Sequence, residues 1–72
     1  MGKDSDILKK FGRRIVTLRA EKGIGSQMRL ALKSGLDRTY IGGIERGERN
    51  VSILNLRLMA GVLRVPIAEL LG

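Results

Sequence analysis

From residue 23 onward, glycines and helix-capping residues recur so often that no regular element in that part of the chain can be long. A helix stop followed by a new helix start is signalled three times, at "GIGS" (23–26), "SGLD" (34–37) and "GERNVS" (47–52). Glycine ends helices in the left-handed conformation, and serine or aspartate caps the first turn of the next helix. No segment shows the strict alternation of a strand. The chain is therefore predicted to be all-α, with short helices.

Five helices are predicted in one domain. The first runs from Asp6 to about Lys22, with Ser5 or Asp4 as its cap and Gly23 as its stop. The other four are predicted at 27–34, 38 to about 46, 51 or 52 to about 63, and 66–71. Two very short helices joined through a glycine, as at 27–46, are typical of a helix-turn-helix.

The amino-acid composition limits the classes of function that this chain can have. Lys and Arg number 14 against 7 Asp and Glu, a net charge of +7 that favours nucleic acid or an anionic membrane surface as partner. The absence of Cys and His removes disulfides, the usual metal ligands and the commonest catalytic groups. No enzymatic activity, cofactor, metal or small-molecule ligand is therefore expected. No apolar run suits a membrane span or signal peptide, so a cytoplasmic location is expected.

The stretch "SQMRLALKSGLDRTYIGGIERG" (26–47) resembles the helix-turn-helix of the phage-repressor-like family of bacterial DNA-binding proteins. The stretch "LDRTYIGGIERGERNVSILNL" is most similar to the controller proteins of restriction–modification systems. The resemblance implies a compact five-helix, lambda-repressor-like domain spanning 1–72. It also implies a homodimer that binds double-stranded DNA at a palindromic operator and regulates transcription, with RNA polymerase as a further candidate partner.

The chain departs from the family in two places. Ile24 and Gly25 lie between Gly23 and the Ser-Gln pair, where the family has one residue, and this predicts looser docking of the second helix. Met28 and Arg29 stand where the family favours glutamates. A cation at that position opposes the helix dipole unless DNA phosphates lie nearby.

The resemblance implies that the start of the third helix enters the major groove. Arg38 carries the fork that fits guanine O6 and N7, and Thr39 offers a hydroxyl or a methyl. Tyr40 is expected either to reach a phosphate or thymine methyl, or to cover the core. Gly43 occupies a position where related proteins often place a base-contacting side chain.

Six further residues are candidate contacts to the DNA backbone, where cations, amides and helix N-termini bind phosphates. Among them, Gln27 also braces the third helix by resemblance, and Ser52 is expected to cap the fourth. For Arg46 and Arg49 the alternative is a charged loop in which they and Glu48 solvate one another. The six residues are Gln27, Arg29, Arg46, Arg49, Asn50 and Ser52.

Glu45 lies near several arginines but would repel DNA. The resemblance implies that it points inward and pairs with Arg19 of the first helix. This pair is expected to lock the first helix to the third.

Two adjacent glycines, Gly42 and Gly43, lie inside the predicted third helix, and each costs about 1 kcal/mol there relative to alanine. Helical spacing places them away from Ile41 and Ile44, or at the edge of that face. One hypothesis is that this bare face lets the helix backbone approach the groove closely. The alternative is that the glycines are merely tolerated.

The C-terminal region, about 52–72, carries more apolar side chains than one core face needs, and it is predicted to mediate dimerisation. Leu54, Leu58 and Leu63 are assigned to the core of the single chain. The remaining apolar residues are predicted to form the dimer interface: Ile53, Met59, Val65, Ile67 and Leu71.

Two alternative functions remain open. The antitoxin of a toxin–antitoxin pair uses the same fold, but the absence of a tail after the fifth helix disfavours it. A basic protein-interaction or membrane-surface module would use the basic first helix and the apolar C-terminus. That module leaves the glycines, the caps and Arg38 unexplained.

Overall fold

The computed structural model describes residues 3–71, which form five α-helices and no strand. The all-α prediction is therefore confirmed. The last four helices begin and end within two residues of their predicted limits. The helices are α1 (Lys3–Glu21), α2 (Gln27–Ser34), α3 (Arg38–Glu45), α4 (Ile53–Leu63) and α5 (Ile67–Leu71).

The start of α1 differs from the prediction. The helix begins at Lys3, so Asp4 and Ser5, the predicted caps, lie inside its first turn. The acidic side chains of Asp4 and Asp6 in that turn interact favourably with the positive end of the helix dipole. This interaction favours helix in the segment that the prediction treated as a cap.

Side-chain caps start α2, α3 and α4, as the sequence predicts. Ser26 accepts a hydrogen bond from the Arg29 amide (3.1 Å), and Asp37 accepts one from the Thr39 amide (3.0 Å). Ser52 accepts one from the amide of Asn55 (3.1 Å). Because each cap contributes about 1 kcal/mol, these local contacts define where the short helices begin.

Helices α1 and α4 end with the same hydrogen-bond pattern. After α1, Gly23 has a φ of 75° and the next amide, of Ile24, bonds back to the Arg19 carbonyl (2.9 Å). The same arrangement ends α4, but there the left-handed residue is Arg64, with a φ of 58°. A left-handed conformation costs a residue with a Cβ about 1–2 kcal/mol, and no glycine marks this stop in the sequence.

A single apolar core joins the helices. The turn residue Ile24 belongs to it, being only 5% exposed, whereas Gly25 is exposed. The longer turn is thus attached to the core rather than loosened, contrary to the sequence expectation. The buried apolar residues are Phe11, Ile15, Leu18, Ile24, Leu30, Ala31, Ile41, Ile44, Met59, Ala60, Leu63 and Leu70.

The inner and outer faces of α4 differ from the prediction. Met59, predicted for the dimer interface, is fully buried, and it shares the core face with Leu63 one turn later. Leu54 and Leu58, predicted for the core, are 64% and 41% exposed. Helical spacing places them on the outer side with Ile53, which is 78% exposed. The assignments of Met59, Leu54 and Leu58 were wrong because α4 carries apolar side chains on nearly every side.

The other predicted interface residues divide into two groups. Val65 and Ile67 are half-buried and pack against the core, so their side chains contribute to intrachain packing. Leu71, like Ile53, is exposed and remains available to a partner. None of the helices within residues 3–71 has the length and hydropathy needed to cross a membrane.

Helices α1 and α3 approach closely because glycines lie at their contact. A Cβ added to Gly12 would lie 2.6 Å from the Glu45 carbonyl oxygen. One added to Gly47, after α3, would lie 2.8 Å from the Cα of Lys9. Backbone atoms cannot move aside as a flexible side chain can. The two glycines therefore set the position of α3 against the long first helix.

Candidate nucleic-acid interface

The first turn of α3 presents two of the predicted base-contacting side chains to solvent. Arg38 and Thr39 are both exposed, immediately after the cap residue Asp37. Among residues 3–71 the guanidinium of Arg38 takes part in no ion pair. Its five N–H donors are therefore free to bind a ligand.

Tyr40, the next residue, is half-buried and its hydroxyl is engaged inside the protein. The hydroxyl accepts a hydrogen bond from Nδ2 of Asn55 in α4 (3.0 Å) and donates one to the Asn50 carbonyl (3.4 Å). Tyr40 thus joins α3, the following loop and α4. This role is close to the second sequence-based expectation, that Tyr40 covers the core. Only the ring remains for contact with a thymine methyl.

Asn55 was missed by the sequence analysis. It is the only amide side chain in α4, whose other residues are apolar or glycine apart from Arg57, and that isolation is the signal that would have found it. Through Tyr40 it connects α3, which would bind DNA, with α4, which carries exposed apolar side chains. It is thus a positioning residue for α3.

Arg19 and Glu45 lie together as the resemblance implies. Arg19 Nε and Nη2 donate to the two Glu45 carboxylate oxygens at 2.9 and 3.1 Å. Gln27 Nε2 donates to the same carboxylate (2.9 Å), which braces α3 against α2. The Glu45 side chain is only 5% exposed. Its negative charge is therefore neutralised within the protein and kept off the outer surface.

The loop after α3 carries the remaining candidate cations. Arg46 Nε pairs with the Glu48 carboxylate at 3.0 Å, and both side chains are more than half exposed. This matches part of the charged-loop alternative. Exposed pairs contribute only about 0–1 kcal/mol, so Arg46 can exchange Glu48 for a phosphate at little cost. Arg49 and Asn50 are exposed as well.

Gly42 and Gly43 do not form a bare face. Both are buried, because side chains from elsewhere cover them. A Cβ on Gly42 would meet Arg46 Nη1 at 3.1 Å and Gln27 Oε1 at 3.2 Å, and one on Gly43 would meet Arg49 Cγ at 2.7 Å. The expectation of an uncovered backbone on this side of α3 is therefore wrong. Contact between that backbone and a groove would require Arg49 to move.

Two helix N-termini at this surface, those of α2 and α4, lack negative charge. Neither helix has an acidic cap or an acidic residue in its first turn, whereas α1 has Asp4 and Asp6 in its first turn and α3 has the carboxylate of its cap residue Asp37. Arg29 in the first turn of α2 and the α4 cap residue Ser52 are both exposed. Since a helix N-terminus carries a partial positive charge, these ends favour phosphate oxygens as ligands.

Taken together, α3 has an exposed cationic first turn, and it is flanked by a cationic loop and by the uncompensated N-termini of α2 and α4. This arrangement suits a polyanion with a groove wide enough to admit a helix, such as DNA with its major groove.

Comparison with known proteins agrees with this geometry. The helix-turn-helix family model matches residues 15–70. Control protein C.MunI from a Mycoplasma species is 42% identical over 66 residues, covering 92% of this chain and 89% of that protein. Control protein C.BamHI from Bacillus amyloliquefaciens is 43% identical over 61 residues, covering 85% of this chain and 75% of that protein.

A solved structure extends the similarity to three dimensions. The restriction-modification controller protein C.AhdI from Aeromonas hydrophila matches with a TM-score of 0.83 and 52% sequence identity. The match covers 88% of this chain and 94% of that one.

Proposed function

This chain belongs to the helix-turn-helix family of DNA-binding transcriptional regulators, and we propose that it is the controller protein of a restriction–modification system. In this role it binds a palindromic operator as a homodimer. The observation that carries the proposal is the surface of α3. Arg38 and Thr39 are exposed there, while Glu45 is drawn inward by Arg19.

The proposed DNA contacts are of two kinds, contacts to bases and contacts to phosphates. With α3 in the major groove, Arg38 is placed to grip a guanine through two hydrogen bonds and Thr39 to contact a neighbouring base. Phosphate contacts set the register without reading sequence. We assign them to Gln27, Arg29, Arg46, Asn50 and the N-terminus of α4 at Ser52.

The exposed apolar surface of α4 supports the proposed homodimer. We define the α4 patch as Ile53, Leu54 and Leu58, with Leu71 of α5 as a further exposed apolar residue. Self-association removes such a patch from water, and a two-fold axis is the commonest solution. Two copies of α3 would then read half-sites roughly 34 Å apart, which makes the operator a palindrome.

The test is binding to the DNA upstream of the protein's own gene, compared with random duplex at about 0.15 M salt, the physiological level. We expect a preference of at least about 10³ for the upstream DNA. Arg38→Ala should remove most of that preference while leaving the thermal melting temperature unchanged, because its side chain is exposed.

A preference below about tenfold would contradict specific regulation, given the 10³ typical of specific binders. Neighbouring genes distinguish the branches of the family. An adjacent methyltransferase and endonuclease support the controller function, whereas an adjacent toxin gene supports an antitoxin.

A further inference from the structure

A groove runs along the first helix, with α1 on one side and α4, α5 and the loop before α4 on the other. Its volume is about 710 Å³, within the range of roughly 300–1,000 Å³ that holds single small molecules in proteins. Asn50 and Val51 of the loop line it, but none of the described residues around it belongs to α3. We call it the α1–α5 groove and define it by its floor and its charged wall, which are Phe11, Leu56, Leu70, Lys10, Arg13 and Arg14.

The floor of the groove is apolar. Phe11 and Leu70 are buried members of the core, and Leu56 packs against that core from α4. Ile7 and Leu71 also line the groove, and they are 62% and 64% exposed. An apolar ligand lying on this floor would remove these two side chains from water, which favours its binding.

Cations line the α1 wall of the groove. Lys10, Arg13 and Arg14 recur at i, i+3 and i+4, so they lie on one side of the helix. Arg14 is already engaged: its Nε donates to the Glu69 carbonyl (2.9 Å), and its Nη2 lies 3.6 Å from a Glu69 carboxylate oxygen. This contact ties α5 to α1, so the groove is bounded on both sides in the free protein.

The other two cations are available to a ligand. Within residues 3–71 Lys10 and Arg13 make no ion pair, and both side chains are exposed. The groove therefore places two positive charges beside an apolar floor. A ligand that matches it must combine an apolar body with a negative charge.

Two other occupants match only one of these properties. A DNA phosphate would satisfy the cations, but the phosphate backbone offers no apolar body for the floor. The α4 patch of a second copy is apolar, but α4 contains no acidic residue and carries Arg57. It would therefore bring no carboxylate to Lys10 and Arg13.

From this pairing of floor and wall we propose that the α1–α5 groove binds an amphipathic organic anion, a small molecule with an apolar chain and a carboxylate or phosphate at one end. The chain covers the floor, and the anionic group lies against Lys10 and Arg13. The sequence analysis expected no small-molecule ligand, since the residues of the groove come from helices far apart in the chain. The inference does not depend on the proposed DNA-binding function, because it concerns a different ligand and a surface outside α3.

The experiment titrates the isotope-labelled protein with four probes and follows its amide signals by NMR. Decanoate and decyl phosphate have both the chain and the charge, decanol has the chain alone, and acetate has the charge alone. Two double variants are compared with the parent. Lys10→Gln/Arg13→Gln removes the two available cations, and Lys33→Gln/Arg57→Gln removes the same charge from exposed positions on α2 and α4. Circular dichroism melting checks that both variants are folded.

We expect at least one of the two chain-bearing anions to saturate the parent with one site per chain. The amides that shift should be those of α1, Val51 and α5. Decanol should bind about tenfold more weakly or worse, the effect of losing one charged hydrogen bond, and acetate should not saturate. Lys10→Gln/Arg13→Gln should lose about tenfold in affinity for the anion but none for decanol, whereas the control variant should match the parent.

Three results would overturn the inference. In the first, neither anion saturates, even if the protein binds vesicles of phosphatidylglycerol, which would indicate a membrane surface instead. In the second, the shifted amides lie on the α4 patch rather than along the groove. In the third, Lys10→Gln/Arg13→Gln binds the anion as tightly as the parent does. None of these results bears on DNA binding, which the comparison of upstream and random duplexes tests separately.

Discussion

Two glutamates three residues apart have opposite surroundings. The Glu45 side chain is 5% exposed and accepts hydrogen bonds from Arg19 and Gln27. Glu48 is 60% exposed, and within residues 3–71 its one ion pair is with Arg46. Removing one member of a buried pair leaves the other charge without a partner in a poorly solvated place, whereas a surface charge returns to water.

At this scale we predict that Glu45→Ala lowers the free energy of unfolding by about 3–5 kcal/mol. Glu48→Ala serves as the matched control and should cost less than about 1 kcal/mol. Urea denaturation followed by circular dichroism measures both. Equal midpoints for the two variants would show that the Arg19–Glu45 pair does not hold the first helix to the third.

At the scale of elements, the position of α3 depends on how near α1 can come to it. Gly12 lets the helix backbones meet, since any Cβ there would overlap the carbonyl oxygens of Ile44 and Glu45. On its other side, α3 is tied to α4 by the Asn55–Tyr40 hydrogen bond. The recognition helix is therefore positioned by contacts with α1 and α4, in addition to the Gln27–Glu45 hydrogen bond from α2.

Gly12→Ala tests this close approach. The substitution normally favours a helix, but here overpacking against backbone should destabilise the protein by about 1–3 kcal/mol. Gly25→Ala is the control, because nothing lies within 4 Å of its Cβ position and its φ is not left-handed. Thermal melting compares them, and a Gly12→Ala protein as stable as the control would contradict the packing argument.

At the scale of the whole molecule, charge and apolar surface are arranged for two different partners. The uncompensated N-termini of α2 and α4 and the arginines around α3 favour DNA. The α4 patch is apolar and favours a second copy. A domain of 72 residues is marginally stable alone, so burial of this patch would also stabilise the fold.

Leu54→Lys should convert the proposed dimer to a monomer, because it places a charge in the α4 patch. In sedimentation the parent should have twice the chain mass of 7.9 kDa, and the Leu54→Lys variant should have the mass of a single chain. Operator affinity should fall as well, since the two recognition helices are no longer linked. Leu32→Lys is the control: Leu32 is 76% exposed, but it lies on α2.

The Leu32→Lys protein should remain a dimer. If Leu54→Lys dimerises as strongly as the parent, the interface lies elsewhere on the molecule.

Local chemistry made much of the fold predictable. Ser26, Asp37 and Ser52 cap helices through contacts within three residues along the chain, and Gly23, Gly35 and Gly47 all adopt the left-handed conformation. The chain alone does not show which side of a helix is buried when nearly every side is apolar. That is why Met59 and Leu54 were placed on the wrong faces of α4.

The sequence by itself therefore determined the helices and their order, because capping and turn formation depend on neighbouring residues, and its resemblance to known repressors indicated the family. Only the tertiary structure decided which apolar residues of α4 remain exposed, that Asn55 holds Tyr40, and that Arg49 covers Gly43. These contacts join residues from different helices and loops. They depend on how closely the helices pack, and no local pattern in the chain specifies that distance.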